Sequence, residues 1–457
     1  MKNLFILLVS SFSFVASNAQ PWNALPGSNG LILGAGIYTT TVYNGNLVIG
    51  GNFHSLAGPY VNLMQWNGSS LDSVGGPIGY VYALTVFNGN LIAGGNFNSA
   101  GHIHANSIAQ WNGIAWDSLG KGIKGIVNAL TEYNGKLVVG GNFDSVGGKP
   151  VNNIAIWDGS SWSALGTGTN APVLSVFVYN GDLVAGGDFS VAGGWAVNNI
   201  AQWNGSSWSK LGAGTNGSVC ALCVYGGKLL AGGGFDSAGG SPAHSAACWN
   251  GSNWLALGGG PNGVVYSLTV YNGAVIAGGT FDSINGVQDE NVAQWNGVSW
   301  DSVGSGLSCS PRNVEVNTLI VYNGNLYGAG YFYYSGKVIV NSIAEWGSPL
   351  AVNEINVESS ELKVYPNPSK GLFNLSISNG GALTRSENNN SSSNYELGMK
   401  YSIEVYNALG QQVYSNTVLI PDSSFQIDLT AQPSGIYLYR VITESGTLVG
   451  EGKLVKE

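Results

Sequence analysis

Charge is scarce in this 457-residue chain. Asp, Glu, Lys and Arg together make up 9% of it, against roughly a quarter in an ordinary globular protein. Helical bundles and coiled coils need charged outer faces, so they are excluded, and 70 glycines exclude them again. The net charge of −9 is spread out and no basic stripe exists, which excludes nucleic acid as a partner. Arginine is nearly absent: Arg312 is the only one between residues 20 and 348. There are four histidines, four cysteines and three methionines. Long apolar runs are missing too, apart from Leu4 to Val15 in the leader "MKNLFILLVSSFSFVASNAQ", which is too short for a transmembrane anchor. A lone positive charge, that apolar run and small residues before Gln20 are the marks of a secretory signal cleaved after Ala19. A soluble, exported mature chain without a transmembrane segment is the expectation.

What the chain has instead is Val, Ile, Tyr, Trp and turn residues, and they repeat. The first Trp of a recurring motif falls at Trp66, Trp111, Trp157, Trp203, Trp249, Trp295 and Trp346. A Gly pair ends a β run at Gly50, Gly94, Gly140, Gly186, Gly232 and Gly278, with a degenerate seventh at Gly328. The constant period, close to 46, marks a repeat architecture. Each unit reads as four short strands, a to d; in the fourth they are "LSVFVYN", "DLVAGGDF", "NNIAQW" and "SWSKLG". Asn-Gly joins a to b and c to d, and suits the two positive φ values of a type I′ turn. Four antiparallel strands repeated seven times predict an all-β fold with a seven-bladed β-propeller over residues 20–348. The last unit lacks strand d, and "PWNALPG" near the N-terminus supplies one. An N-terminal strand is therefore expected to close the last blade, which a linear solenoid would not need. Tryptophans needed once per unit are read as packing between blades, with ligand stacking as the rival.

The Gly pair, the aromatic ending strand c and the Trp of strand d resemble kelch-like and related bacterial "GGNF" propeller repeats. Such propellers host unrelated activities, so the resemblance implies a fold and no particular chemistry.

After Pro349 the repeat stops. Residues 349–362 read as a polar linker, and 363–457 as alternating strands of a small Ig-like β-sandwich. The Ser/Asn-rich stretch from Ser378 to Lys400 is expected to be a disordered insertion. Tyr365-Pro366-Asn367-Pro368, Gly371, Gly410 in "NALGQQV", Gly435-Ile436-Tyr437 and Lys453 closely resemble the type A C-terminal sorting domain of the type IX secretion system of Bacteroidota. The resemblance implies that the signal peptide delivers the chain to the periplasm. The sorting domain then engages the translocon, and the protein ends up released or attached to the cell surface. An Ig-like accessory module is the alternative.

Each catalytic template lacks a residue type. A sialidase-like site needs an arginine cluster, and no strained GxSxG elbow or nucleophile–His pair is present. The repeated acids Asp144, Asp236 and Asp282 read as turn caps, without the dense oxygen ligands of a Ca²⁺ site. His102-x-His104 could ligate a metal only with a third partner. Cys220 and Cys223 form a CxxC on a strand, where residues three apart point to opposite faces. Small buried hydrophobes suit them, and Cys248 and Cys309, better than a metal site; a disulfide is permitted by the compartment. No cofactor, metal or catalytic residue is expected.

Alternation of the strands puts the a–b and c–d turns on one side, and the b–c and d–a links on the other. The second side carries what differs between units: Tyr60, His102, Lys149, Trp195, Asp289 (with Glu290), Arg312 and Tyr333. Function sits on variable loops held by a rigid scaffold, so these are the candidate ligand-binding residues, with Trp195 foremost as a loop aromatic outside the repeat pattern. The alternative for Trp195 is packing on its own loop. Asp-Ser-apolar triplets at Asp72, Asp117, Asp144, Asp236, Asp282 and Asp301 resemble an O-glycosylation acceptor of exported Bacteroidota proteins. The bland alternative is a turn followed by a strand residue, copied by the repeat.

The sequence therefore predicts a monomeric, non-enzymatic binding or adhesion module for a glycan or surface protein, secreted or held at the outer-membrane surface. A carbohydrate-active enzyme using the variable side, and a purely structural surface protein, are the alternatives.

Overall fold

The structure is a computed structural model, and the residues described are 22–25, 36–52, 62–288, 291–309, 314–346, 360–379, 400–407, 411–419, 425–443 and 448–457. The leader, Tyr60, Asp289, Arg312, Gly410 and positions 380–399 of the Ser/Asn-rich stretch lie outside them. All described regular structure is β. The chain divides into two compact units, Met1–Ser348 and Pro349–Glu457.

Seven antiparallel sheets, five of four strands and two that add a short fifth strand, form the core of the first unit among its described residues. The fourth repeat is representative: strand a is Val173–Tyr179, b is Asp182–Gly187, c is Ile200–Trp203 and d is Trp208–Lys210. The a strands of successive sheets lie side by side, and Glu315–Tyr322 packs against Ile37–Tyr43, so the array returns on itself as a ring. Closure is chemical as well as geometric. Asn23–Ala24 pairs with Ile343–Trp346, with Asn23 opposite Glu345 and Ala24 opposite Ala344. Trp22 fills the strand-d slot of this seventh sheet, wholly buried, its ring 5.7 Å from that of Trp346.

The turns split into two kinds. Asn180 and Gly181 both have positive φ (51° and 85°), the type I′ geometry expected of every a–b connection. The c–d Asn-Gly pairs are different. Trp203 faces Trp208 across the ladder, leaving a four-residue loop. There the Asn204 Oδ1 accepts from the amides of Ser206 and Ser207, while only Gly205 has positive φ. The same dipeptide thus makes an Asx-turn here, because its side chain caps the loop. The Asn pair placed at the start of strand c is also no strand. Asn198 and Asn199 are both left-handed, and their amides donate to the carbonyls of Ala213 and Thr215, stitching the b–c link to the d–a link.

The repeated tryptophans are mortar. Trp203 and Trp208 meet at 5.4 Å within one sheet, and the strand-d indole reaches into the sheet before it. Trp162 donates to the Leu119 carbonyl at 3.0 Å, Trp208 to Leu165 at 2.9 Å and Trp254 to Leu211 at 2.9 Å. Trp300 donates likewise to Leu257. Trp116 is the exception: its buried Nε1 has no acceptor. The preceding link, Val74 to Pro77, is one residue shorter than its counterpart, Leu119 to Ile123.

In the second unit a three-stranded sheet contains Ser360–Tyr365, Leu372–Asn379 and Phe425–Asp428. A four-stranded sheet contains Gln412–Leu419, Lys400–Tyr406, Gly435–Thr443 and Leu448–Lys456. Phe373, Leu375, Ile403, Val405, Ile427, Tyr437 and Leu454 form their shared core. Ser378 and Lys400, taken from sequence as part of the insertion, are strand residues.

Candidate functional site

The Gly pair after strand b shapes the centre of the ring. A Cβ on the first glycine would strike the neighbouring sheet: at Gly140 it would lie 2.5 Å from Val173 Cγ1, and at Gly186 2.5 Å from Val219 Cγ1. A Cβ on the second would collide with the backbone carbonyl of strand a in its own sheet, as Gly141 would with Ile126 and Gly187 with Pro172. That carbonyl approaches because strand a carries a β-bulge at the same point of each sheet. In the seventh repeat Ala329, not Gly328, takes the first-glycine register opposite Ile343, and Gly330 the second.

A bulge leaves one residue unpaired and re-aims its side chain. The residues so placed are Tyr38, Tyr82, Asn128, Leu174, Cys220, Tyr266 and Asn317, all half-buried. They sit near the start of strand a, so they ring the axial mouth on the same side as the b–c and d–a links. Below them small residues (Thr39, Ala83, Ala129, Ser175, Ala221 and Ser267) line a channel of about 230 Å³. Some of the mouth is structural. Asn128 donates to the Val173 carbonyl at 3.3 Å, and Asn317 to the Ile37 carbonyl at 3.0 Å, each bridging to the next sheet.

The remainder is chemically uneven. Tyr38, Tyr80 and Tyr82 cluster, with ring centroids 5.0 Å (38 to 82), 5.7 Å (80 to 82) and 6.4 Å (38 to 80) apart. Burial, reinforced by the neighbouring tyrosines and Glu315, pushes the Tyr38 phenol up to about 12. Tyr266 is raised for the same first reason and also feels Glu315. Burial and the nearby Asp188 carboxylate push the Cys220 thiol up to about 12. Cys223 and Cys248 are free, buried thiols in the packing between sheets.

The b–c links form small two-stranded ribbons. Val146 pairs with Lys149 and Ala192 with Trp195, so Lys149 and Trp195 occupy one register in successive sheets. Ser241 holds it in the next. Trp195 is 65% exposed. His102 sits in the turn of the second repeat's ribbon, beside a hollow of about 360 Å³, where His104 Nδ1 is engaged with the Asn98 carbonyl. Tyr333 lies against Tyr331 at 5.9 Å. A cleft of about 460 Å³ between the second and third repeats is bordered by Asn96, Asn106, Ser107 and Lys124, and Lys124 pairs with Asp144 at 3.3 Å. No group of three His, Cys, Asp or Glu able to hold a metal occurs among the described residues. Of the Asp-Ser triplets, Ser73 and Ser302 lie exposed on outer strand d. Ser145, Ser237 and Ser283 begin the ribbons.

Sequence reasoning overlooked the centre of the side that carries the b–c and d–a links. A signal was present: "VCALCVYGG" and "VYALTVFNG" share a repeated frame yet place Cys220 and Tyr82, chemically unlike side chains, at the bulged position.

In the second unit the Tyr365–Pro368 segment is tied to the last strand. Asn367 donates to the Lys453 carbonyl at 2.6 Å and accepts from the Val455 amide at 2.8 Å. Ser369 and Glu457 continue this pairing. Gly371 has φ +119°, and a Cβ there would lie 2.8 Å from Thr430 Cα. Tyr437 is buried and donates to the Pro433 carbonyl at 2.6 Å. Of the described sorting-motif residues, Gly371 and Tyr437 are buried, while Tyr365–Pro368, Gly435 and Lys453 are exposed, with Asn367 tying its segment to the last strand.

Comparison with known proteins agrees. Residues 363–457 match the model of the secretion system C-terminal sorting domain, and residues 134–155 match a β-propeller domain of unknown function. No curated protein matches the chain. Among solved structures it is similar to the extracellular domain of a hybrid two-component system of B. thetaiotaomicron, at 10% identity and TM-score 0.47, over 78% of this chain and 44% of that one. It thus spans less than half of that relative. It is similar also to a chain of the S. cerevisiae Dbp5 complex with Nup159 and Gle1, at 11% identity and TM-score 0.35, over 72% of this chain and 96% of that one. The chain carries a type IX sorting domain behind a β-propeller, and is exported to the medium or to the outer-membrane surface. No helix among the described residues is long and apolar enough to cross a membrane.

Proposed function

We propose that this exported propeller is a non-catalytic binding or adhesion module that holds a glycan or other surface polymer on the side carrying its b–c and d–a links. The observation that carries the reading is Trp195. A large aromatic 65% exposed on a rigid ribbon, at a register where the neighbouring sheets place Lys149 and Ser241, has been assigned no packing task. Its flat apolar face with a polar rim suits stacking on a sugar ring. His102, Lys149 and Tyr333 lie on the same side and extend the contact surface. The sorting domain serves only delivery, through the secretion translocon.

The test is a glycan and polysaccharide array probed with the full chain and with Trp195→Ala. Selective binding that drops at least about tenfold in the variant, the equivalent of about 1.4 kcal/mol, supports the reading. Binding that survives the substitution unchanged, or none at all, removes it.

A further inference from the structure

The axial mouth offers a chemistry different from that of the ribbons. Glu315 stands at the start of the seventh a strand, half-buried, and no Lys, Arg or His side chain pairs with it among the described residues. Its strand packs on one side against Val265–Tyr271, which carries Tyr266, and on the other against Ile37–Tyr43, whose Tyr38 belongs to the Tyr38–Tyr80–Tyr82 cluster. Tyr80 keeps 39% of its surface exposed while stacking on Tyr82 with planes 16° apart. Tyr38 lies over Gly36, where a Cβ would come within 3.1 Å of its ring, so the glycine makes room for that orientation. The cation two residues before the mouth of the third sheet, Lys124, is already paired with Asp144.

A carboxylate with no counter-ion among the described residues, partly withdrawn from water and set between tyrosines, attracts a compact organic cation. The carboxylate supplies the Coulomb term, stronger here than in bulk water. The rings supply cation–π attraction, which strengthens with desolvation. A metal ion fits poorly, because no three His, Cys, Asp or Glu side chains able to hold one gather among the described residues. An anion is repelled. The neighbouring channel of about 230 Å³ has room for a small head group, so a bulky body stays outside.

We infer that the axial mouth, built by Glu315 with Tyr38, Tyr80 and Tyr82, is a binding site for an ammonium group, as carried by an alkylammonium or by a de-N-acetylated amino sugar. This rests on the reading of the variable side as the binding side, but on residues separate from Trp195.

The experiment is calorimetric titration of the full chain with choline, its neutral isostere 3,3-dimethylbutanol, a glucosamine oligomer and the N-acetylated oligomer of equal length. Binding of choline or of the glucosamine oligomer, with the matching neutral probe at least about tenfold weaker, is expected. Glu315→Gln is expected to weaken it about tenfold and Tyr80→Leu about fivefold, while Trp195→Ala leaves choline binding unchanged. Tyr80→Leu alters a partly exposed side chain, so it keeps the test decisive if Glu315→Gln fails to fold. Choline alone binding identifies a small alkylammonium; glucosamine oligomer binding identifies an amino sugar. Neutral probes binding as well as charged ones, full binding in Glu315→Gln, or no binding of either cation overturns the assignment. Oligomer binding lost in Trp195→Ala yet kept in Glu315→Gln overturns it while leaving the glycan reading intact.

Discussion

The indole of Trp22 donates its Nε1–H to the carbonyl of Val303 at 3.2 Å, across 281 positions of sequence. It makes the bond that Trp162 makes to Leu119 and Trp208 to Leu165, with the difference that here the strand comes from the other end of the repeat array. The amide of Trp22 also donates to the buried Ser335 hydroxyl at 2.9 Å. Ring closure therefore joins this two-residue strand and fully buried ring to direct bonds between the seventh and first sheets, among them Tyr322 to the Gly45 carbonyl at 2.8 Å and Asn317 to the Ile37 carbonyl at 3.0 Å.

Trp22→Ala should accordingly destabilise the first unit by about 3–5 kcal/mol, the usual cost of emptying a buried aromatic site. Thermal unfolding followed by tryptophan fluorescence checks it. A melting temperature within a degree of the parent would mean that the ring closes without this strand.

The indole bonds give an internal comparison. Trp162→Phe removes one of two donors to the Leu119 carbonyl, which keeps the Gly122 amide at 3.1 Å, whereas Trp116→Phe removes a buried N–H that has no acceptor. Trp162→Phe is expected to lower stability by about 0.5–1.5 kcal/mol more than Trp116→Phe. Urea midpoints for the two variants decide it, and equal losses would contradict the assignment of the bond.

The two glycines of a pair should respond differently to a methyl group. Gly140→Ala meets a side chain, Val173 Cγ1 at 2.5 Å, and should cost about 1–3 kcal/mol. Adding Val173→Ala should recover part of that, so the double variant loses less than the sum. Ala329 shows that this slot can hold a methyl group, opposite Ile37 in the same cluster. Gly141→Ala meets the Ile126 backbone, and no side-chain truncation there should rescue it.

Alkali should weaken the first unit. Burial holds the Cys220 thiol at about 12 in the folded chain against 9.0 unfolded, and the Tyr38 phenol at about 12 against 10.0. Both raised groups keep their protons in the folded state after the unfolded chain has lost them. Their contribution is whole below about pH 9, and drains away as pH rises towards 12. The urea midpoint should fall through that window. Alkylation of Cys220 at pH 9 should be slow in the native protein and fast in denaturant, as peptide mass mapping would record.

In the sorting domain, Asn367→Ala unpairs the Lys453 carbonyl and the Val455 amide together. A loss of about 1–3 kcal/mol in that unit is expected, with reduced export of the chain, measured as its ratio in medium and surface fractions to periplasm. Normal export with a weakened domain would separate recognition from stability.

Much of the fold follows from local chemistry repeated. The Asn-Gly dipeptides, the 46-residue spacing and the missing final strand d announce four-stranded units, a ring and its closure, because turn propensity and apolar alternation act within a few residues. The Tyr365–Pro368 segment and its glycines likewise mark the sorting domain. What local reading misjudged were positions where one dipeptide has two uses. Asn180-Gly181 forms a type I′ turn, while Asn204-Gly205 opens an Asx-turn, because Trp203 and Trp208 must face each other directly across the ladder. Asn198 and Asn199 looked like strand and are a left-handed corner, held by carbonyls about fifteen residues away.

The sequence by itself determined that this is a glycine-rich, charge-poor repeat protein with an export signal at its end, since composition and period are properties of the string. Tertiary structure alone decided where its distinctive chemistry gathers. Tyr38, Tyr82, Cys220, Tyr266 and Glu315 are scattered over nearly 280 positions, and nothing local joins them. Tyr38, Tyr82, Cys220 and Tyr266 meet because a bulge in each inner strand turns one side chain towards a common axis. Glu315 stands two residues before the bulged Asn317 of the seventh strand, and that axis exists only in the closed ring.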